Sequence, residues 1–443
     1  MTAPPTRVRH AMIAATTLVA VMLYLDRVCL SILSDQIKPL LGDTPDEQKV
    51  RFADLTAAFF WTYALFQLPA GWLGDRFGAR AILPVLLFCW SACTALLGLA
   101  NGFVALCVLR LGCGLFEAGA YPLAAGIVRA WMPPAVRGFA SGCVAVGGRL
   151  GGAIAPPLTL ALASGGADSW RMPFFVYGAL GMLGALPFWW WYRDRPALHS
   201  AVNPAEAELI ASGRTAGPLA PHGPPPLGAF FRSRALWLNS LVQFLANFAW
   251  VFIITLFPDY LKEVFDTPPG ERAFYQSLPL YAGLGGMLLG GWLSDLAMKR
   301  FGPRWGRGLP VAGSRILVGA AYLACLGVRD PLAVALLMGV VAFATDLGTA
   351  PVWAWAQDTG GRHVGAVVGW ANMWGNFGAA AAPMVFIRIR QANPTDPVAG
   401  WDTAFLVCAA AQVIAAIAAL GLDARKPLVA ENPAQQSQPT QAE

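Results

Sequence analysis

The sequence predicts an all-α polytopic membrane protein: twelve transmembrane helices in two pseudo-symmetric six-helix bundles. Three observations predict it. Hydrophobic residues make up 56% of the 443-residue chain and charged residues only 13%, against about 25% charged in an ordinary soluble domain. Apolar runs long enough to cross about 30 Å of hydrocarbon recur along the whole chain. A five-residue phrase, Gly71-Trp72-Leu73-Gly74-Asp75, returns nearly unchanged as Gly291-Trp292-Leu293-Ser294-Asp295. A duplicated six-helix unit puts the two copies at equivalent ends of the second and eighth spans, an architecture typical of transporters.

The spans are expected at 11–33, 53–73, 81–100, 103–128, 138–162 and 173–192, then at 235–257, 274–297, 310–328, 332–356, 364–386 and 403–421. The first follows Arg7 and Arg9 but carries no small-x-small cleavage site after its apolar core, so it is expected to be retained rather than removed as a signal peptide. Four regions follow: an N-terminal bundle over 1–192, a solvated Pro-rich linker over 193–234 containing HGPPPLG at 222–228, a C-terminal bundle over 235–421 and a tail over 422–443. With both termini and the linker on one side, that side collects nineteen of the 31 Lys and Arg, Arg315 counted among them, against nine on the other. The positive-inside rule then makes that side cytoplasmic, in an inner or plasma membrane.

The same composition limits function. The net charge of +6 reads as a topology signal and implies no nucleic-acid partner. The 17 Trp and 25 Phe suit bilayer interfaces. All eight Cys lie in apolar runs without metal-ligand spacing, so they read as packing residues, and no metal is expected. No P-loop and no nucleophile–base set occurs, which argues against an enzyme or an ATP-driven pump and for function without a cofactor. The expected partners are the lipid bilayer, protons and a small organic anion, and the chain is expected to act as a monomer.

The first copy of the repeated phrase continues as GWLGDRFGAR. Gly71 and Gly74 permit close helix approach. Asp75 sits at a helix end beside a turn at Gly78, where it can pair with a basic residue or cap the start of another helix. Arg76 and Arg80 hold the loop on the basic side. A mere topogenic loop is the plainer reading, and its recurrence with Asp295 weakens it. The stretch resembles the loop between spans 2 and 3 of the major facilitator superfamily, G-x-L-x-D-R-x-G-x-[RK], and the second copy resembles its degenerate counterpart. YLDR at 24–27, RLGCGLFEAGAYP at 110–122 and AWMPPAVRGFASG at 130–142 resemble one branch, the anion:cation symporter family, which carries organic anions such as sugar acids by proton symport.

Charges inside the spans point to chemistry. Each costs at least about 2.5–3.5 kcal/mol at the bilayer centre and is kept mainly where it is paired and faces a wet cavity. The N-terminal half has Asp26, Arg27, Arg110, Glu117 and Arg149, a net positive set that favours an anionic guest. Arg110 and Glu117 lie about two turns apart on one face, as Tyr24 and Arg27 share a face of the first span. Tyr63 offers a hydroxyl, and each guanidinium can grip a carboxylate bidentately. Asp26 and Glu117 are the candidate proton carriers, because a carboxylate whose arginine is taken by substrate takes up a proton more readily. The alternative is that both are static counter-ions. His10, His199, His222 and His363 all fall in expected tails or loops, so no histidine relay is expected.

The resemblance implies that Asp26 and Glu117 take protons, that Arg27 contacts the anion and that Arg110 faces the same cavity. Arg149 departs from the family, several members of which have an uncharged polar residue there. Three readings stand: a second anion contact for a substrate with two acidic groups, a pair with Glu117, or a reach toward lipid headgroups. The C-terminal spans carry Gln243, Asn247, Asp346, Thr349, Trp353, Trp355, Asn372 and Asn376, which suit a polyhydroxylated body. Asn372 and Asn376 share a face, and the resemblance marks Trp353 and Asn372 as substrate contacts, although membrane asparagines also simply join helices. Asp346 either bonds backbone or titrates. The expected function is secondary transport of an organic carboxylate with protons, by alternating access. An exporter or antiporter of amphipathic compounds would need a more apolar, acid-lined cavity, and a non-transporting sensor would need an added signalling domain.

Overall fold

The computed structural model describes residues 4–166, 168–212, 227–392 and 397–428. Twelve long helices carry the fold: α1 Val8–Ile32, α2 Pro45–Phe77, α3 Ala79–Leu97, α4 Phe103–Trp131, α5 Arg137–Leu162 and α6 Met172–Trp191, then α7 Arg234–Phe265, α8 Pro269–Trp305, α9 Gly308–Cys325, α10 Pro331–Thr359, α11 Val364–Gln391 and α12 Pro397–Leu420. Each expected span is met by one helix. Several helices overrun the apolar run that announced them, because polar ends continue the helix past the hydrocarbon. α2 starts at Pro45 rather than 53: the Thr44 side chain caps it, accepting from the Glu47 N–H at 3.3 Å, and Asp46 and Glu47 suit the positive end of the helix dipole.

In the first half α1 packs on α5, α2 on α4 and α3 on α6; in the second, α8 packs on α10, α7 on α11 and α9 on α12. The halves meet where α2 lies on α11 and α5 on α8, with the ends of α4 and α10 wedged between. Among the described residues, nine helical stretches are long and apolar enough to cross a membrane by composition alone. α2, α8 and α11 are absent from those nine, and all three form the contact between halves. A seam of close helices replaces large apolar residues with Gly and with amides and acids, which lowers hydropathy without removing the span. α4 is interrupted at Ala118 and Gly119, and α7 widens into a π turn over Phe252–Leu256, just ahead of Pro258.

Three expectations need correction. Arg315, counted with the basic loops, lies inside α9 and is 1% exposed. His10 belongs to the first turn of α1, with its side chain exposed, rather than to a tail. The stretch expected as a solvated linker is partly built into the protein. Its helix Pro204–Ala211 buries Glu206 completely, and that carboxylate binds the start of α1: it accepts from the backbone N–H of Val8 and Arg9, from the Thr6 hydroxyl, and from the Arg9 guanidinium at 2.9 Å. His222, Arg214 and most of HGPPPLG lie outside the described residues. At the other end of the chain the Leu428 N–H donates to the Thr359 carbonyl at the end of α10. The chain's N-terminal segment, the linker and the segment after α12 thus share one end of the bundle, the linker face.

Candidate functional site

Arg27 leaves α1 toward α2 and α4. Its Nε and Nη2 donate to Glu117 Oε2 at 3.1 and 3.0 Å. The guanidinium lies over the Tyr63 ring at 4.3 Å and stands 5.2 Å from the rings of both Tyr24 and Phe59, so aromatic faces surround the cation on three sides. Phe59 and Tyr63, one turn apart on α2, stack at 5.6 Å. Arg110 is buried with its guanidinium 4.4 Å from the same Phe59 ring, so the two arginines converge on one aromatic ring. Glu117 Oε1 and Arg110 Nε have no hydrogen-bond partner among the described residues. Asp26 faces away, since neighbours in a helix diverge by about 100°. Its Oδ2 accepts from Trp90 Nε1 on α3 at 3.0 Å, and its Oδ1 is unpartnered. Tyr24 is seated on glycines of α5: a Cβ at Gly148 would lie 2.7 Å from Tyr24 Cε2.

The C-terminal half contributes amides. Gln243 Nε2 of α7 donates to Asn372 Oδ1 of α11 at 3.3 Å, Asn376 Nδ2 donates to the Asn372 carbonyl at 2.8 Å, and Asn247 Nδ2 to the Gln243 carbonyl at 2.9 Å. Trp353 of α10 packs its ring 5.1 Å from that of Tyr121 on α4, joining the halves. Trp355 is fully buried. Arg149 crosses between halves: its Nη2 donates to Asp346 Oδ1 at 2.9 Å, and its guanidinium lies 4.3 Å over the Trp250 ring of α7. Its ion pair is therefore with Asp346 and not Glu117, and Asp346 spends one oxygen on that arginine rather than on backbone. Sequence reasoning missed Phe59 and Tyr121, although each lies four residues from a chosen residue, Tyr63 and Glu117, and helical spacing could have found both.

The repeated phrase performs one job twice. Gly71 of α2 lies against Gly365 of α11, and a Cβ on Gly365 would fall 2.5 Å from the Gly71 carbonyl oxygen. Gly291 of α8 lies against Gly138 of α5, where a Cβ on Gly138 would fall 2.7 Å from the Gly291 carbonyl oxygen. Four residues after each glycine comes the acid. Asp75 accepts from the N–H groups of Gly365 and Ala366, both at 2.8 Å. Asp295 accepts from those of Gly138 and Phe139 at 3.0 and 2.8 Å. Each carboxylate caps the first turn of a helix in the other half, where backbone donors lack helical partners and the dipole favours negative charge.

A charge cluster unforeseen from the sequence completes this seam. Arg307, fully buried, donates to Asp295 Oδ1 and Asp358 Oδ2, each at 2.8 Å, and to the Pro134 carbonyl of the other half at 3.1 Å. Arg137 of α5 donates to Asp358 Oδ1 at 2.8 Å. Beyond α2 the chain turns at Gly78, with φ +85°. Arg80 N–H donates to Asp194 Oδ1 at 3.1 Å, and the exposed Arg76 lies by the rings of Trp72 and Phe77. The same turn recurs at Gly302, with φ +67°, in Arg300-Phe301-Gly302-Pro303-Arg304, which repeats Arg76-Phe77-Gly78-Ala79-Arg80.

The sequence profile of the Major Facilitator Superfamily matches residues 16–383. A probable sulfoacetate transporter of Cupriavidus necator is 31% identical over 420 residues, 94% of either chain. The D-galactonate transporter of Escherichia coli O6:H1 is 28% identical over 88% of this chain and 91% of its own. Of solved structures, the E. coli fucose:proton symporter aligns with a TM-score of 0.70 at 14% identity, over 93% of this chain and 98% of its own. The human organic anion transporter MFSD10 aligns with a TM-score of 0.69 at 16% identity, over 94% and 100%; these two likenesses speak to the fold alone. A multi-pass membrane protein of twelve helices, with the repeated glycine–aspartate seam and a profile match over most of its length, this chain belongs to the Major Facilitator Superfamily of transporters.

Proposed function

We propose that the chain is a secondary carrier of small organic anions, sugar acids or comparable carboxylates, that moves them together with protons by alternating access. The linker face lies in the cytoplasm of a cell whose inner or plasma membrane holds the protein. One observation carries the reading: Arg27 is clasped by Glu117 inside a ring of aromatic faces, with a second guanidinium, Arg110, on the same Phe59 ring. An entering carboxylate takes Arg27 from Glu117. The released Glu117, buried and without the guanidinium that bonds it, then takes a proton more readily, because a buried carboxylate that loses its hydrogen-bonded cation grows costlier relative to the neutral acid. Anion and proton load as a unit. Asp26, the residue before Arg27 on α1 but turned to α3, supplies a second acid for the proton's path.

The amides of Gln243, Asn247, Asn372 and Asn376, with Trp353, face a hydroxylated body from the C-terminal half. Arg149 belongs to the same site. Relatives named for sulfoacetate and D-galactonate support the anionic class, and three arginines speak against an exporter of amphipathic compounds. The two bundles, 1–192 and 235–421, rock about the site, and the closed linker face is one end state of that motion. Proteoliposomes holding the purified protein test this: a panel of sugar acids and dicarboxylates is offered under an imposed pH gradient. At least one anion is expected to accumulate with the gradient. Glu117→Gln is expected to lose that accumulation and keep exchange of preloaded anion. Accumulation by Glu117→Gln at the wild-type level, or none by the wild type for any anion, sinks the proposal.

A further inference from the structure

Arg315 of α9 is buried, yet its Nε and Nη1 have no hydrogen-bond partner among the described residues, and Nη2 reaches only the Thr345 carbonyl at 3.3 Å. A buried guanidinium so poorly paired is costly. The carbonyl it holds belongs to the residue before Asp346, and the Asp346 carboxylate lies within its electrostatic reach. Asp346 spends Oδ1 on Arg149, and its Oδ2 has no partner. The missing side chain of Gly283 on α8 leaves the room that Oδ2 occupies. One carboxylate thus lies within electrostatic reach of two guanidiniums, Arg149 from the first half and Arg315 from the second, and is bonded to the first only. A Cβ on Gly148, the residue before Arg149, would meet the Tyr121 hydroxyl and fall 2.7 Å from Tyr24, and the Tyr24 ring lies 5.2 Å from the Arg27 guanidinium, so the Asp346–Arg149 pair borders the site at Arg27.

We propose that Asp346 is a resident carboxylate occupying a second anion seat at Arg149, and that the second acid group of a two-headed solute displaces it onto Arg315. This rests on the carrier reading above and names its substrate class: short organic anions with two acid groups, carboxylate or sulfonate, one held at Arg27 and the other at Arg149. The exchange balances. Before it, Asp346 neutralises Arg149 and Arg315 lacks a charge partner; after it, the solute neutralises Arg149 and Asp346 neutralises Arg315. The number of unpaired buried cations falls by one. A solute with one acid group has nothing to place at Arg149 and leaves the ion pair between the halves closed. The carrier therefore discriminates by the solute's second head, and that head unlocks the contact that must part when the halves rock.

The test compares the affinities of D-glucarate, with two carboxylates, and D-gluconate, with one, for the purified full-length protein by titration calorimetry. The wild type is expected to prefer glucarate. Asp346→Asn, nearly isosteric, removes the resident competitor and is expected to raise the glucarate:gluconate affinity ratio about tenfold. Arg149→Gln is expected to bring the ratio to about one, and Arg315→Met to lower it, with Arg315→Lys retaining most of it. A ratio unchanged within about twofold in both Asp346→Asn and Arg149→Gln overturns the proposal while leaving the carrier reading intact. A wild type that binds neither acid and accumulates no anion overturns both.

Discussion

Asp358 stands where two ion pairs of the linker face join, and its replacement by asparagine gives the sharpest test of the seam. Its Oδ1 takes Arg137 from the first half and its Oδ2 takes Arg307 from its own half, both at 2.8 Å. The side chains are 10%, 6% and 0% exposed, in that order, so the pairs lie out of water. In Asp358→Asn, Arg307 still holds Asp295, Ser294 and the Pro134 carbonyl. Arg137 keeps no hydrogen-bonded acid, and its Nε is already without a partner. The closed face then buries an unpaired guanidinium, and removing one member of a buried pair costs about 3–5 kcal/mol. An open linker face returns Arg137 to water, so the cost falls on the closed state alone. At tenfold per about 1.4 kcal/mol, even the lower bound shifts the closed-to-open ratio by more than about a hundredfold.

The assay is pulsed electron paramagnetic resonance between spin labels at positions 76 and 300, exposed ends of α2 and α8 on opposite halves, with the eight native cysteines replaced. The wild type is expected to show a short-distance population and Asp358→Asn a dominant longer one, with Asp358→Glu restoring the short one. An unchanged distance distribution in folded Asp358→Asn refutes the argument, because it means that Arg137 does not depend on Asp358 for its burial.

Two further outcomes follow from the seam and its strap. Gly71→Leu places a side chain where the α2 and α11 backbones touch, and overpacking of this kind costs about 1–3 kcal/mol; exchange of preloaded anion is expected to fall at least about tenfold while yield of folded protein persists, and exchange at the wild-type rate would contradict it. Glu206 is the second. Burial alone would raise its carboxyl, but hydrogen bonds from Thr6, from the backbone of Arg9 and Val8 and from the Arg9 guanidinium outweigh burial and hold it below its ordinary value of 4.5. A lowered folded-state value means stabilisation that is present above pH 4.5 and lost as pH falls through the folded value. Proteolysis near the linker is therefore expected to quicken only in acid for the wild type, and at pH 7 as well for Glu206→Gln; equal rates for the two proteins at pH 7 would rule out the strap.

What was legible in the sequence followed from period and composition. Twelve apolar runs announced twelve helices, and Arg27, Arg110, Glu117 and Tyr63 could be grouped because helical spacing and intramembrane charge are local signals. The pair of Arg149 with Asp346 had no such signal: the partners lie in different halves, and only folding of both bundles sets them 2.9 Å apart. Arg315 was misplaced for a related reason. A charge near the start of a span reads as solvated, and only the packing of α9 against α10 and α12 reveals it as buried. The second RFG turn was in plain sight but shifted. Asp75 precedes Gly78 by three residues and Asp295 precedes Gly302 by seven; the extra four residues are about one helical turn, which preserves the face while defeating a fixed-spacing search.

That difference between local and distant signals has a mechanical consequence. The acids at the seam, Asp75 and Asp295, bond backbone N–H groups at helix starts of the other half, so when the linker face parts, water replaces both partners of each of these bonds at small net cost. Arg149 and Asp346, 18% and 4% exposed, form an ion pair between the halves, and each loses its charge partner when they part. Opening the seam returns Arg137 to water and leaves Asp358 with Arg307, whereas parting Arg149 from Asp346 calls for a substitute anion and a substitute cation. Arg315 is placed to be the second, and a solute acid to be the first. A carrier built this way joins its halves by two ion pairs, Arg137 with Asp358 at the linker face and Arg149 with Asp346 beside the site, and the second is the one its cargo can exchange.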